Sequence, residues 1–340
     1  MAIDFHAHLA RENPDAPPFM RDLFDVEGYL EKQEQAGLEL TVLSYALSEP
    51  SGTDAELEEA KAEHEFLAGL VETHAGRFAA LAGVNPFDGG PWLEEAERAL
   101  DAGFSGLCFP TSVNGKYLDD PEAEDAFALA DARGVPIFLH PSTSPVGVDR
   151  LGQGVLVGWV GRPYDTGICL TRMLLADTLS RYPNVRMVVA HCGGVLPMLL
   201  GRIDHVYQGL QRMAAAKAKG GGPPGGGPPG GGPPGGGPPG GGPPMGGGNL
   251  EASLEGDPPS QRLGQLVFDT ASYHPAAIKA AIEAVGVENM VVGTDFPPAG
   301  DSPGPSIADV DRVGLAPDDK EKIMSENARG LLGATIKGGS

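Results

Sequence analysis

Apolar residues fall in short, nearly unbroken runs separated by longer stretches of mixed character. The runs are Ala2–Phe5, Leu40–Tyr45, Phe78–Val84, Gly106–Phe109, Pro136–Leu139, Val185–Ala190, Leu266–Phe268 and Met290–Gly293. A strand with one wet face alternates apolar and polar residues, whereas a strand covered on both faces reads as a continuous run. These eight runs therefore predict strands held between two apolar layers. Between them lie stretches with helical patterning. Asp54–Thr73 is rich in Ala, Leu and Glu, and Pro91–Ala102, Pro121–Ala132 and Pro275–Ala284 each open on a proline, which the first turn of a helix tolerates. Asp318–Leu332 reads as a closing helix. Strands alternating with helices in this way predict an α/β fold, a closed parallel (β/α)8 TIM barrel. An open doubly wound sheet is the competing architecture. It usually carries a glycine-rich turn after the first strand, and the turn here is FHAHLA.

One stretch breaks the pattern. From Gly220 to Pro244 the unit GGGPP occurs five times in succession. Such a segment has no apolar side chain to bury against the entropy of ordering it. Residues 220–248 are expected to form a flexible loop insert within a single domain covering residues 1–340, because the strand–helix alternation resumes after Gln265. Recognition as a proline-rich ligand requires PxxP spacing, and here three glycines split the proline pairs.

Composition narrows the function classes. The net charge is 24 − 46 = −22, which disfavours nucleic acid and anionic membrane surfaces as partners. No run of 18 apolar residues is present, and no basic region followed by an apolar stretch opens the chain, so neither a membrane span nor a secretory signal is expected. The three cysteines, Cys108, Cys169 and Cys192, make an odd, low number. They suggest no disulfide framework and a reducing, cytoplasmic setting.

The ends of the strands carry the chemistry. In barrels of this kind the active site forms where strands end and the following loops begin. The first strand ends in His6 and His8, two residues apart and so facing one side. The fifth ends in His140 (IFLHPS), the sixth in His191 (VVAHCGG) and the eighth in Asp295 (VVGTDFP). Imidazoles with one carboxylate suit Zn²⁺ and leave a position open for water or substrate, while Mn²⁺, Fe²⁺ and Co²⁺ remain alternatives. A further histidine beside such an ion can act as general acid or base near neutral pH. The other histidines, His64, His74, His205 and His274, fall on predicted helices or loops and are expected at the surface. Cys192 adjoins His191, but strand neighbours point to opposite faces, so a Cys–His nucleophile pair is not expected.

IDFHAH, FLHPS, AHCGGVLPMLLGRID, VFDT and VVGTDFP together resemble the amidohydrolase superfamily, and most of all its aminocarboxymuconate semialdehyde decarboxylase branch. The resemblance covers nearly the whole chain apart from the GGGPP insert. It implies that His6, His8, His140 and Asp295 ligate one divalent metal and that His191, with Asp295, handles protons. Binuclear relatives carry a carboxylated lysine on about the fourth strand, and GLCFP has none. The resemblance also implies a homodimer in which Arg202, in LLGRID, reaches the neighbouring subunit's substrate carboxylate. That branch has another substrate-binding arginine early in the first helix, where this chain reads FDVEGYLEKQ, and Arg11 is the nearest substitute. Hydroxybenzoate-type relatives commonly have Glu where this chain has His6. Phe296, beside Asp295, is placed with the substrate contacts, as is Trp159, which shares the long loop after the fifth strand with Arg162 and Tyr164.

The expected activity is a metal-dependent, non-oxidative decarboxylation of an aromatic or unsaturated carboxylic acid. A metal-dependent hydrolase of an amide, lactone or similar bond is the alternative. A non-catalytic barrel serving as a binding protein is a third reading, against which the complete ligand set counts.

Overall fold

The computed structural model describes residues 1–14, 16–47, 53–142, 144–152, 154–218, 254 and 256–333, and the GGGPP insert lies outside them. Its strands are β1 (Ala2–Ala7), β2 (Leu38–Ser44), β3 (Phe78–Gly83), β4 (Gly106–Pro110), a short antiparallel hairpin β5 (Ser112–Val113) and β6 (Lys116–Tyr117), then β7 (Ile137–His140), β8 (Met187–Val189) and β9 (Leu266–Phe268). Seven of them form one parallel sheet in the order β1-β2-β3-β4-β7-β8-β9. The last expected strand, Met290–Gly293, forms no ladder of its own, yet it joins the two edges of the sheet. Met290 bridges to Phe268, Val292 to Asp4 and Phe296 to Ala7. The Val291 N–H donates to the Phe268 carbonyl at 3.0 Å and the Phe5 N–H to the Val292 carbonyl at 2.8 Å. The sheet therefore curls into a ring whose eighth stave is held by single bridges.

Two apolar layers account for the continuous runs. Ile3, Phe5, Val42, Leu81, Cys108, Phe138, Val188, Val267 and Val291 fill the interior, with Ala328 and Leu332 of the last helix packed against the same cluster. Ala7, Leu43, Ala82, Leu107, Leu139, Val189 and Phe268 face outward into the cluster shared with the surrounding helices. Each strand buries both faces, which is why so few of its residues are polar.

The helices follow their signals closely. Asp54–Thr73 is observed with those ends, and the Thr53 hydroxyl accepts from the Glu56 N–H. Pro275–Val285 starts at its proline and is capped by the His274 side chain, which accepts from Ala276 N–H at 3.1 Å. The second predicted helix runs Gly90–Asp101, and the third is a tight turn Pro121–Ala123 followed by Glu124–Arg133. The closing helix is not continuous. A wider turn at Lys322–Glu326 separates Pro317–Glu321 from Asn327–Leu332. The stretch after β7, expected to be loop, is largely helical: Val148–Leu151, Gly154–Leu156, a wide turn Val157–Gly161, then Arg162–Leu175.

His64 corrects the surface expectation. It is fully buried on the inner face of Asp54–Thr73, with Nδ1 2.6 Å from Glu95 Oε1 of the next helix. An acidic partner on the neighbouring helix makes burial of the imidazole affordable. Among the described residues, no helix is long and apolar enough to cross a membrane.

Candidate metal centre

Four residues meet at the C-terminal end of the ring. His6, His8, His140 and Asp295 each offer one ligand atom, and these atoms all lie within 4.8 Å of one another. The three imidazole rings sit 5.0 to 5.2 Å apart, centre to centre. A local irregularity aims the first of them. The register of β1 against β2 shifts between Asp4 and Ala7, so Phe5 and His6, although adjacent, both pack against the interior ring of Phe138. Asp4 anchors this bend by accepting from His6 N–H at 3.1 Å and from the Thr294 hydroxyl at 2.6 Å.

The spacing fits a common ion. His6 Nε2 and His8 Nε2 stand 3.3 and 3.4 Å from Asp295 Oδ1. Two donors each about 2.1 Å from one ion at a tetrahedral angle are separated by about 3.4 Å. His6 Nε2 is fully buried at this place. Outer contacts fix the rings. Asp269 Oδ2 lies 2.6 Å from His6 Nδ1, and the Ser44 carbonyl 3.1 Å from His8 Nδ1. A carboxylate or carbonyl behind an imidazole holds its tautomer and sharpens it as a ligand.

The electrostatics agree. Burial lowers the pKa of His6, but the charge of Asp295 and the hydrogen bond of Asp269 outweigh it and push it up to about 10. Burial pushes the Asp295 carboxyl up, and the charge of His6 with the hydrogen bonds of His191, His6 and His8 overcomes this and holds it well below the usual carboxylate range. Burial, reinforced by His8, His6 and His191, drives His140 well below the usual imidazole range, which keeps it neutral. The cluster thus combines an ionised carboxylate with a demand for positive charge, which a divalent cation meets.

His191 stands beside the four, with Nε2 3.3 Å from Asp295 Oδ2 and Nδ1 buried without a partner. His191, Cys192, Tyr273 and Asp295 all hold left-handed backbone angles, with φ between 54° and 57°. They are four of the six such non-glycine residues among those described, so backbone strain is concentrated at this end of the ring. Cys192 is buried, and burial pushes its thiol well up, away from nucleophilic duty.

His191 and Asp295 form part of the wall of a cavity of about 1070 Å³, lined also by Trp159, Arg162, Met198 and Tyr273. Trp159 is therefore brought to the site. Arg202 is exposed on the helix Leu196–Ala218 and pairs with no described residue. Arg11 lies away from the cavity wall, donating to Glu63 at 3.0 Å and to Glu59 at 2.7 Å. The Phe296 side chain is buried beside Tyr29, ring centres 5.3 Å apart, rather than in the cavity wall. Two residues at the site were not picked out from the sequence. Asp269 stands in the VFDT motif, but its partner is 263 residues away. Tyr273, whose hydroxyl donates to Asp295 Oδ2 at 3.1 Å, carried no signal beyond following that motif.

A family model described as amidohydrolase matches residues 3–334. The chain belongs to the amidohydrolase family. Among curated proteins it is 25% identical to the 2-amino-3-carboxymuconate-6-semialdehyde decarboxylase of Dictyostelium discoideum, over 79% of this chain. The match spans 65% of that relative's length, just under two thirds. Among solved structures, the 5-carboxyvanillate decarboxylase of Sphingomonas paucimobilis superposes with a TM-score of 0.75 at 21% identity, covering 97% of this chain and 98% of that one. A dihydroxybenzoic acid decarboxylase of Polaromonas sp., solved with bound manganese and 2-nitroresorcinol, gives 0.72 at 19% identity and covers 99% of both chains. These likenesses establish the barrel, and in this amidohydrolase the strand ends supply the cation site.

Proposed function

We infer that this amidohydrolase is a metal-dependent, non-oxidative decarboxylase of an aromatic or unsaturated carboxylic acid. The observation that carries the reading is His191 set 3.3 Å from Asp295 at the wall of a large, mostly apolar cavity. His6, His8, His140 and Asp295 would hold one divalent ion. Zn²⁺ is favoured by three imidazoles and one carboxylate, although the Polaromonas relative carries manganese. When bound, the ion supplies a Lewis acid that orients an oxygen of the substrate.

The chain's own residues do the rest. The bond to the departing carboxylate breaks with its electron pair left on the substrate carbon, and CO₂ leaves. His191 delivers the replacing proton from the nitrogen that faces Asp295, and Tyr273 and Asp295 hold that face of the site in place. The apolar wall keeps water from competing for the developing carbanion.

A homodimer is part of the proposal. Trp159 and Met198, which line the cavity, are 75% and 78% exposed, and Tyr164, Val206 and Met213 are further exposed apolar side chains. Arg202, unpaired on the same helix as Met198, would then reach a neighbouring subunit's substrate. The three free, buried cysteines fit the reducing, cytoplasmic setting.

The test is untargeted. Metal-loaded protein and its Asp295→Ala variant are incubated with a small-molecule extract of the source cells and compared by high-resolution mass spectrometry. A product lighter than its precursor by CO₂, absent with the variant, is expected. A precursor that instead gains water would make the protein a hydrolase.

A further inference from the structure

The two oxygens of Asp295 face different ways. Oδ1 stands 3.3 and 3.4 Å from His6 Nε2 and His8 Nε2, on the side where the ligand atoms meet. Oδ2 is 3.3 Å from His191 Nε2 and accepts from the Tyr273 hydroxyl at 3.1 Å. That hydroxyl donates to no other described residue.

The backbone holds Tyr273 to this contact. The residue lies in the short turn between β9 and the helix Pro275–Val285, with φ of 57°. Such a conformation is costly for an aromatic residue and persists only where neighbours impose it. Here they do so on both sides. Before it, the Ser272 N–H donates to the Thr270 carbonyl at 2.7 Å, and Asp269 accepts from the Ala271 N–H at 3.1 Å. After it, the His274 side chain caps the helix by accepting from the Ala276 N–H. Packing does not account for the placement, since the Tyr273 side chain is 45% exposed on the cavity wall.

A carboxylate beside a divalent ion binds through one oxygen or through both. Bound through both, it takes one more of the ion's positions, whereas a catalytic site needs a position left for substrate. Hydrogen bonds to the second oxygen keep it out of that mode. His191 cannot supply this restraint throughout, because in the decarboxylase reading above it hands on the proton that faces Asp295. Tyr273 has no such duty. We propose that Tyr273 is a positioning residue whose hydroxyl holds Asp295 Oδ2 away from the ion. Asp295 then binds through Oδ1 alone, and a position stays open after His191 has given up its proton. This rests on the role proposed for His191.

Water-proton relaxation in the Mn²⁺-loaded full chain tests this, because it reports the exchangeable waters that the ion keeps. Mn²⁺ favours about six ligands, so four from the protein leave about two for water. His191→Ala is expected to match wild type, with Tyr273 as the remaining tether. Adding Tyr273→Phe to it should bring the relaxivity per bound ion down to about half, as Oδ2 displaces one water. Metal affinity gives a second reading. Loss of an ordinary outer contact weakens a metal about 10- to 100-fold. Here the freed oxygen becomes a ligand, so the double variant should hold Mn²⁺ within about threefold of His191→Ala. Retained binding also shows that the variants are folded. Three results would each overturn the proposal: a relaxivity already halved in His191→Ala, one left unchanged in the double variant, or Mn²⁺ held about tenfold or more weakly by the double variant than by His191→Ala. A His191→Ala chain without metal would make His191 a ligand and sink its proton-transfer role. Tyr273→Phe against wild type then decides the Tyr273 assignment by the same halving or its absence. Relaxation is read without substrate, so CO₂ release in the extract experiment tests the decarboxylase separately.

Discussion

His6 Nδ1 and Asp269 Oδ2 are 2.6 Å apart, and both side chains are fully buried. Asp269 also accepts from the N–H groups of Cys192 and Ala271 at 3.0 and 3.1 Å, so one carboxylate aligns β1, the loop after β8 and the end of β9. It is expected to set the basicity and orientation of His6. Asp269→Asn should keep the fold and weaken the metal about 10- to 100-fold, as losses of such outer contacts do. Competition against a chromophoric chelator measures this directly. Undiminished affinity would mean that packing against Phe138 alone holds the His6 ring.

Asp295 and His191 should separate cleanly by metal content. Asp295 touches His6, His8 and His191, and its loss removes the only carboxylate of the cation site. Asp295→Ala is expected to purify without metal and without turnover. His191→Ala should keep its metal while turnover falls about 10²- to 10⁴-fold, the usual contribution of a general acid or base. Elemental analysis beside a CO₂-release assay reads both. Metal lost from His191→Ala would make His191 a ligand and reassign the proton transfer.

Much of this was legible in the chain because both faces of each strand are buried. Continuous apolar runs located all the staves, including the one at Met290–Gly293 that is held only by single bridges. The residue that ends each stave could be read directly, and so could the convergence of His6, His8, His140 and Asp295. What escaped reading depends on long-range or backbone contacts. Nothing in IDFHAH announces the register shift that turns Phe5 and His6 the same way. The acceptor behind His8 is the carbonyl of Ser44, an atom every residue has. Arg11 meets Glu59 and Glu63 because Asp54–Thr73 passes beside it, and Phe296 turns toward Tyr29, neither of which spacing reveals.

The buried pair of His64 and Glu95 should make stability depend on pH. Burial pushes the Glu95 carboxyl up, but its hydrogen bonds with His64 and Arg98 and their charges prevail and bring it down to about 2. A carboxyl lower in the folded than in the unfolded chain stabilises fully above its unfolded value, near 4.5, and loses that contribution as pH falls toward 2. Glu95→Gln is therefore expected to cost on the order of 2 kcal/mol at pH 7. The gap to wild type should narrow as pH drops from about 5 toward 3. Urea unfolding across that range gives the curve. A gap independent of pH would show that shape, not charge, is what Glu95 contributes.

Gly194 ties the histidine loop to the segment that carries Arg162. Its φ of 61° with ψ of −127° belongs almost only to glycine. A Cβ there would lie 2.4 Å from the Pro163 carbonyl oxygen and 3.0 Å from Thr166 Cβ. The first of these is backbone at the start of Arg162–Leu175 and cannot swing aside as a side-chain tip would. Gly194→Ala should destabilise the fold by about 2–4 kcal/mol, the strained conformation and the overpacking adding together. The four ligand residues lie on other segments, so the variant is expected to retain its metal. Urea unfolding with elemental analysis checks both halves. Stability within about 0.5 kcal/mol of wild type would show that the start of Arg162–Leu175 moves freely to make room.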